Sequence, residues 1–507
     1  MTATLRFNGN FKDKGYTFFI PLLMLFLTII YYPIFGTYAH TDSYEFFWNA
    51  KRNPIFHHVF IQGGRPLFGF FITALFQWAD SIEDLKYIRM IAFTGNVFLL
   101  ITFYVFLVKH NFSKRLAAGL TLFFASSAFI CLVMSWTALF QAGWAMLFGL
   151  VSALFCLRAT ADETNRINTI LCIAASIATG LISLMLYQPS FTLFIVVVFL
   201  SFEKRRGVSH LIKNAVVYLS IFAVYFVLFK AMLWYTGLPP LGRSGINFDI
   251  LGKISWFISN PLAHALKFNL LSVRNTFANM FRVPVLLLFV FCIVQYFQTR
   301  KLSRESISYG AIVVGVYFLA YLPNLVSMEY HASNRSLASV VLLNAYFFYK
   351  MMEHLVKAEK IMNVVFVAAA LLFGAFGFVN LRYGVTKIHS TEYAILKKAT
   401  HDILKRDTNY SLDTIHIIRP ANRFLRQQGI VQMDSGGEFG LLSNSVDWAT
   451  LPMFLAFIDE LAPLTGHNPA DITLNICEAE DGQKCATREG PVLDIGHEFL
   501  KHYREYY

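Results

Sequence analysis

Two carboxylates and two guanidiniums carry the chemistry that this sequence offers. In Thr41-Asp42-Ser43-Tyr44-Glu45-Phe46-Phe47-Trp48-Asn49, Asp42 and Glu45 stand three residues apart and share a face if the stretch is helical. A carboxylate so placed can take the proton from an attacking sugar hydroxyl, and two close together repel, which raises the pKa of one. On local sequence alone Asp42 fits a helix N-cap, flanked by Thr41 and Ser43, better than a base. Gly63-Gly64-Arg65-Pro66 is a turn feeding a helix whose first residue is Pro66. Arg65 then lies where the helix dipole favours an anion. A phosphate resolves that conflict, because guanidinium and free helix N–H groups together make an anion site. Snorkelling to lipid headgroups accounts for Arg65 equally well. A second turn, 327–335, holds Glu329, His331, Asn334 and Arg335 between apolar runs. Arg335, with His331 beside it, is the second candidate phosphate ligand.

The elements that must position these residues belong to a membrane protein. Of 507 residues, 56% are apolar, 16% aromatic and only 15% charged, with 52 Phe and a mean hydropathy of +0.51. A soluble domain carries about 25% charged residues, so lipid is the solvent for most of this chain. Disordered, fibrous and nucleic-acid-binding classes are excluded. The net charge of +12 sits largely in short basic clusters between apolar runs and encodes orientation. Runs able to cross about 30 Å of hydrocarbon lie near 17–36, 88–108, 116–135, 141–157, 168–186, 189–202, 214–235, 283–298, 306–326, 336–350 and 361–380, about eleven spans in all. The 66–79 stretch is too short to cross and reads as an interfacial helix. Alternate connections are short and basic (Lys109/Lys114/Arg115, Lys204/Arg205/Arg206, Arg300/Lys301/Arg304), which puts the N-terminus in the cytoplasm and the C-terminus outside. The outer segments are then 37–87, 236–282, 327–335 and 381–507.

Residues 1–380 are thus expected to form an all-α polytopic domain, and 381–507 a small α/β extracytoplasmic domain. In the latter, Thr414–Ile418, Ile472–Ile476 and Val492–Ile495 read as strands, and Ala421–Gln428 and Asp447–Leu461 as helices. Cys477 and Cys485 are placed to close a disulfide in an oxidising compartment, whereas Cys131, Cys156, Cys172 and Cys292 fill spans. The 236–282 loop opens with Gly237-Leu238-Pro239-Pro240-Leu241-Gly242, flexible punctuation that fits an ordinary linker better than a mobile lid over an outer-face site. Arg243 at its head is a candidate substrate contact. Lys230, inside a span, is explained by snorkelling almost as well as by function. His40, His57 and His58 with Asp42 lack the spacing of a metal site, so no metal or other cofactor is expected.

An acidic residue just after the first span, Gly64-Arg65-Pro66-Leu67 before the next and an outer C-terminal domain together resemble the GT-C glycosyltransferases. Within that superfamily the chain looks most like the phage-type, serotype-converting O-antigen glucosyltransferases. One departure is that Ser43 follows Asp42 where adjacent acids are common, with Glu45 the next acid. The resemblance covers about 15–380 and implies a polyprenyl-phosphate sugar donor at the outer face of a bacterial inner membrane. No nucleotide sugar is then needed. Asp42, with Glu45, would deprotonate the acceptor and inversion would follow. Arg65, Arg335 and His331 would hold the departing phosphate. Tyr44 and Trp48 would face sugar, although an interface belt explains these aromatics as well. The acceptor would be a surface glycan such as O-antigen of lipopolysaccharide. A polymerase or ligase using lipid-diphosphate glycans, and a lipid-sugar flippase, are the alternatives.

Overall fold

The computed structural model describes residues 14–161, 165–205, 207–266, 304–330, 332–355, 359–406, 413–420, 442–478 and 490–506. Within them lie six helices long and apolar enough to cross a membrane: Phe18–Phe35, Ile82–Lys109, Thr137–Ala159, Arg166–Leu186, Val208–Thr236 and Asn363–Arg406. The pair Lys114–Ala125 and Ala128–Ser135, bent by 51°, makes a seventh if it counts as one span. This is a multi-pass helical membrane protein, with fewer uninterrupted spans among the described residues than the eleven expected of the whole chain. The differences have local causes. The 189–202 run splits into Gln188–Phe191 and Leu193–Arg205, and Leu193 through Leu200 are wholly enclosed by protein. The 306–326 run breaks after Leu319, and Pro323 starts a new short helix. The 283–298 run lies outside the described residues.

The elements that build the site are α1 (Lys14–Tyr31), α2 (Asp42–Arg52), α3 (Pro66–Trp78) and α4 (Leu85–Lys109). Later in the chain come α5 (Val208–Thr236), α6 (Glu359–Leu381), α7 (Lys387–Arg406), α8 (Asp447–Thr465) and α9 (Ile495–Tyr506). Helix α3 spans about 20 Å, too little to cross the hydrocarbon. It buries Phe68, Ile72 and Phe76 and exposes Phe70, Phe71 and Trp78, the one-sided burial of a helix lying along an interface. A π turn at Arg382–Thr386 joins α6 to α7 without a break, so one helix runs straight through the expected boundary at residue 380.

Beyond α7, strands β1 (Thr414–Arg419), β2 (Thr473–Glu478) and β3 (Val492–Asp494) form a parallel sheet in the order β2-β1-β3. Ile415 and Ile417 are buried on the central strand, as a strand paired on both sides requires. Its core continues into the segment after α1. Tyr44, Phe47, Phe60, Phe68 and Ile72 belong to the same apolar cluster as Leu396, Phe454 and Phe457.

The path from α1 to α2 is fixed by Arg89 of α4, which is wholly buried. Its Nε donates to the Ile34 carbonyl at 2.6 Å, Nη2 to Gly36 at 2.6 Å, and Nη1 to Tyr38 at 3.0 Å and to Thr137 Oγ1 at 3.2 Å. The guanidinium also lies 4.0 Å from the centre of the Tyr38 ring. A helix end presents unpaired carbonyls and a negative dipole end, and Arg89 satisfies both. Replacement by Met strands those carbonyls in the core. We expect Arg89→Met to lower stability by on the order of 3 kcal/mol or more, with Arg89→Lys intermediate. Thermal unfolding in detergent tests this, and a wild-type midpoint for Arg89→Met would contradict the role.

Candidate functional site

Helix α2 begins at Asp42. Thr41 holds the N-cap position without a side-chain cap hydrogen bond, while the Asp42 carboxylate accepts from Trp448 Nε1 of α8 at 2.9 Å. The carboxylate therefore meets a side chain more than four hundred residues away in sequence. Glu45, one turn on, has its carboxyl pushed up from 4.5 to about 7, mainly by burial and secondarily by the Asp42 charge. Repulsion between the two acids contributes as anticipated, but desolvation is the larger cause. A carboxyl near 7 is poised to exchange a proton at neutral pH.

Arg65 is set by a turn with little freedom. Gly64 has φ +73, its carbonyl accepts from Tyr225 Oη at 2.6 Å and Gln188 Nε2 at 3.2 Å, and Gln188 also reaches the Gly63 carbonyl at 3.0 Å. A Cβ on Gly64 would collide with the Tyr225 hydroxyl, so glycine is required here by conformation and by space. Pro66 is the first residue of α3 and Arg65 its N-cap. The Arg65 guanidinium lies 5.7 Å from the centre of the Phe68 ring.

Arg335 sits in the turn Asn334–Ser336, with Nε on Ser333 Oγ at 3.2 Å. Its guanidinium lies 5.5 Å from the Trp136 ring centre, and Trp136 packs on His40 at 4.6 Å. His40 in turn contacts Thr41 Oγ1 at 2.8 Å, next to Asp42. Arg335 is thus linked through two rings to Thr41, the residue that precedes Asp42. The Trp136 indole N–H is buried and finds no hydrogen-bond partner among the described residues. An orphan donor costs about 1–3 kcal/mol, and beside Arg335 it suits an anionic oxygen.

The other expected contacts lie elsewhere. Tyr44 is wholly buried, packed edge-on against Phe457 of α8 at 5.9 Å. Its ring is a core contact with no face open to a sugar, the reverse of the expectation. One face of Trp48 is covered by Arg52, 3.5 Å from the ring centre and bonded to Asp459 at 2.8 Å. Arg243 lies in the turn Gly242–Ser244; its side chain is outside the described set, as are His331 and Cys485. Cys477 is disulfide-bonded. Lys230 is exposed on α5, consistent with snorkelling. His57 stacks on Phe70 at 5.1 Å while His40 packs on Trp136. Among the described residues no three His, Cys, Asp or Glu converge as metal ligands. The 236–266 stretch is seated, with Leu241 N on the Gln62 carbonyl at 3.3 Å and Met328 N on Gly245 at 2.9 Å.

A buried polar cluster braces this region from the other side. His40 packs on His389 at 4.6 Å, and His389 Nδ1 contacts Glu392 at 3.1 Å. Glu392 accepts from the Ser443 and Asn444 backbone N–H groups at 3.1 and 2.7 Å. Sequence reasoning singled out neither Trp136, Trp448, Gln188, Tyr225 nor this pair. Gln188, a polar residue between two closely spaced apolar runs, was the one local signal among these.

No family model, no curated protein and no solved structure matches this chain. The site stands on its own geometry.

Glu45 gives it a pH signature. The folded state binds this proton more tightly than the unfolded chain does, so stability falls as pH rises from about 4.5 to about 7. Glu45→Gln lacks that loss. The variant should unfold at a higher temperature than wild type at pH 8 and match it near pH 4.5. Equal midpoints at pH 8 would show that Glu45 is not held protonated.

Proposed function

We propose that this protein is an inverting glycosyltransferase of the GT-C kind, moving a hexose, with glucose the first choice, from a polyprenyl-phosphate donor to a surface glycan. The observation that carries the reading is that Arg335 is linked through Trp136 and His40 to Thr41, the residue before Asp42, with a buried indole N–H that has no partner among the described residues beside the arginine. Such a transfer needs a base for the acceptor hydroxyl and cationic donors for a departing phosphate. Asp42 takes the acceptor proton as the hydroxyl attacks the anomeric carbon. Glu45, with its carboxyl near 7, is the group to receive that proton onward. Arg335, the Trp136 N–H and Arg65 meet the phosphate oxygens. The donor lipid lies along the exposed apolar faces of the spans, with the reacting end at the outer leaflet of a bacterial inner membrane and the N-terminus in the cytoplasm. Helix α8 covers α2, which suits a domain that closes over the reacting groups and presents the glycan acceptor.

Purified protein incubated with polyprenyl-phosphate glucose and cell-envelope glycan should release free polyprenyl phosphate. Asp42→Asn should cut that release by about a hundredfold or more while keeping the wild-type unfolding midpoint. Wild-type turnover by Asp42→Asn would remove Asp42 as the base. No release from a panel of polyprenyl-phosphate sugars would overturn the donor class and favour a diphosphate-linked donor or lipid-sugar translocation.

A further inference from the structure

A second cationic recess, with neither Asp42 nor Glu45 among its described lining residues, lies where α1 and α6 end. It is an open recess of about 560 Å³, lined by Tyr32, Phe35, Arg382, Thr386, Lys387 and Ser390 among others. Two positively charged residues, Arg382 and Lys387, line it together with Thr386, Ser390 and Thr391, and no acidic residue is among its described lining residues. The nearest acid along the chain, Glu392, is turned into the core and bound by Ser443, Asn444 and His389. The backbone is specialised here as well. Arg382–Thr386 is the π turn between α6 and α7, a distortion that proteins keep mostly at functional positions.

The depth of the recess identifies the surroundings. On α1 the exposed apolar stripe runs through Phe18, Leu22, Leu25 and Ile29 and stops at Tyr32. On α6 it runs through Val364, Leu371, Leu372 and Val379 and gives way to Arg382 and Tyr383. The two helices pack together there, with Tyr32 and Phe378 rings 6.3 Å apart and Arg382 Nη1 on the Tyr32 hydroxyl at 3.2 Å. A tyrosine belt with cations at the end of two lipid-facing stripes marks the headgroup level.

We propose that this recess binds the phosphate of an anionic lipid headgroup. Arg382 and Lys387 supply charge, and the Ser390 and Thr391 hydroxyls supply neutral donors to the remaining oxygens, the Thr386 hydroxyl being donated to the Arg382 carbonyl at 3.3 Å. The site is separate from the Arg65 and Arg335 turns and stands whether or not sugar transfer is the activity. By bridging α1 to the α6–α7 helix, a bound lipid would tie the first span to the helix that carries the C-terminal domain.

The test uses the full chain in phosphatidylcholine nanodiscs carrying a small fraction of phosphatidylglycerol, with retained phosphatidylglycerol counted by native mass spectrometry. Wild type should retain it selectively. The double variant Arg382→Gln/Lys387→Gln should weaken retention on the order of thirtyfold, from two lost charges near the surface. Arg65→Ala should retain as wild type does. Ser390→Phe, which fills the recess and keeps both charges, should also lose retention while unfolding at the wild-type temperature. Glycerol phosphate in solution distinguishes the source of the phosphate. Retention that survives millimolar glycerol phosphate confirms a lipid, and displacement by it overturns the lipid assignment in favour of a soluble phosphate. Wild-type retention in the double variant, or in a folded Ser390→Phe, overturns the site altogether.

Discussion

The Arg89 guanidinium is answered by the carbonyls of Ile34, Gly36 and Tyr38 and the hydroxyl of Thr137. A buried charge is costly unless it is hydrogen-bonded, and here three of the five N–H donors go to the segment that leaves α1 and a fourth to Thr137. That expense fixes where α2 begins. With residues 34–38 pinned against α4 and the turn at Thr137, His40 packs on Trp136 and Asp42 opens α2 at a set place. Arg335 reaches the same neighbourhood only because Trp136 follows the bent pair that ends at Ser135. The acidic pair and the cationic turn are therefore both referenced to one arginine.

The C-terminal segment completes the environment instead of standing apart from it. Helix α8 gives Trp448 to Asp42, Phe457 to Tyr44 and Asp459 to Arg52, and Glu460 accepts from the Ile82 N–H at 2.6 Å. These contacts cover one side of α2, the helix on which burial, with the Asp42 charge second, raises the Glu45 carboxyl to about 7.

Much of this was legible from residue types alone. Asp42 and Glu45 show themselves as acids after a span, Arg65 as a cation where the helix dipole disfavours one, and the three strands as short buried runs. The number of spans was less legible, because hydropathy cannot tell an apolar helix enclosed by protein, such as 193–205, from one facing lipid. Tyr44 was misplaced for a related reason. Sequence shows that it neighbours the acids, but the α8 core decides which way that face of α2 turns. Trp448 and Trp136 carry no local signal, since their roles arise only from packing between distant segments. Arg89 did carry one. A lone arginine at the start of an apolar run calls for a partner, and the carbonyls after α1 supply it.

The claim that ties these parts together is that one phosphate-bearing donor lies between the acidic pair and the two arginine turns. A cryo-EM structure of the chain in a lipid disc with a non-transferable polyprenyl-phosphonate sugar tests it most directly. The account predicts phosphonate oxygens within hydrogen-bond reach of Arg335 and Arg65, with the anomeric carbon turned towards Asp42. A phosphonate seated instead between Arg382 and Lys387, with its sugar remote from Asp42, would contradict it.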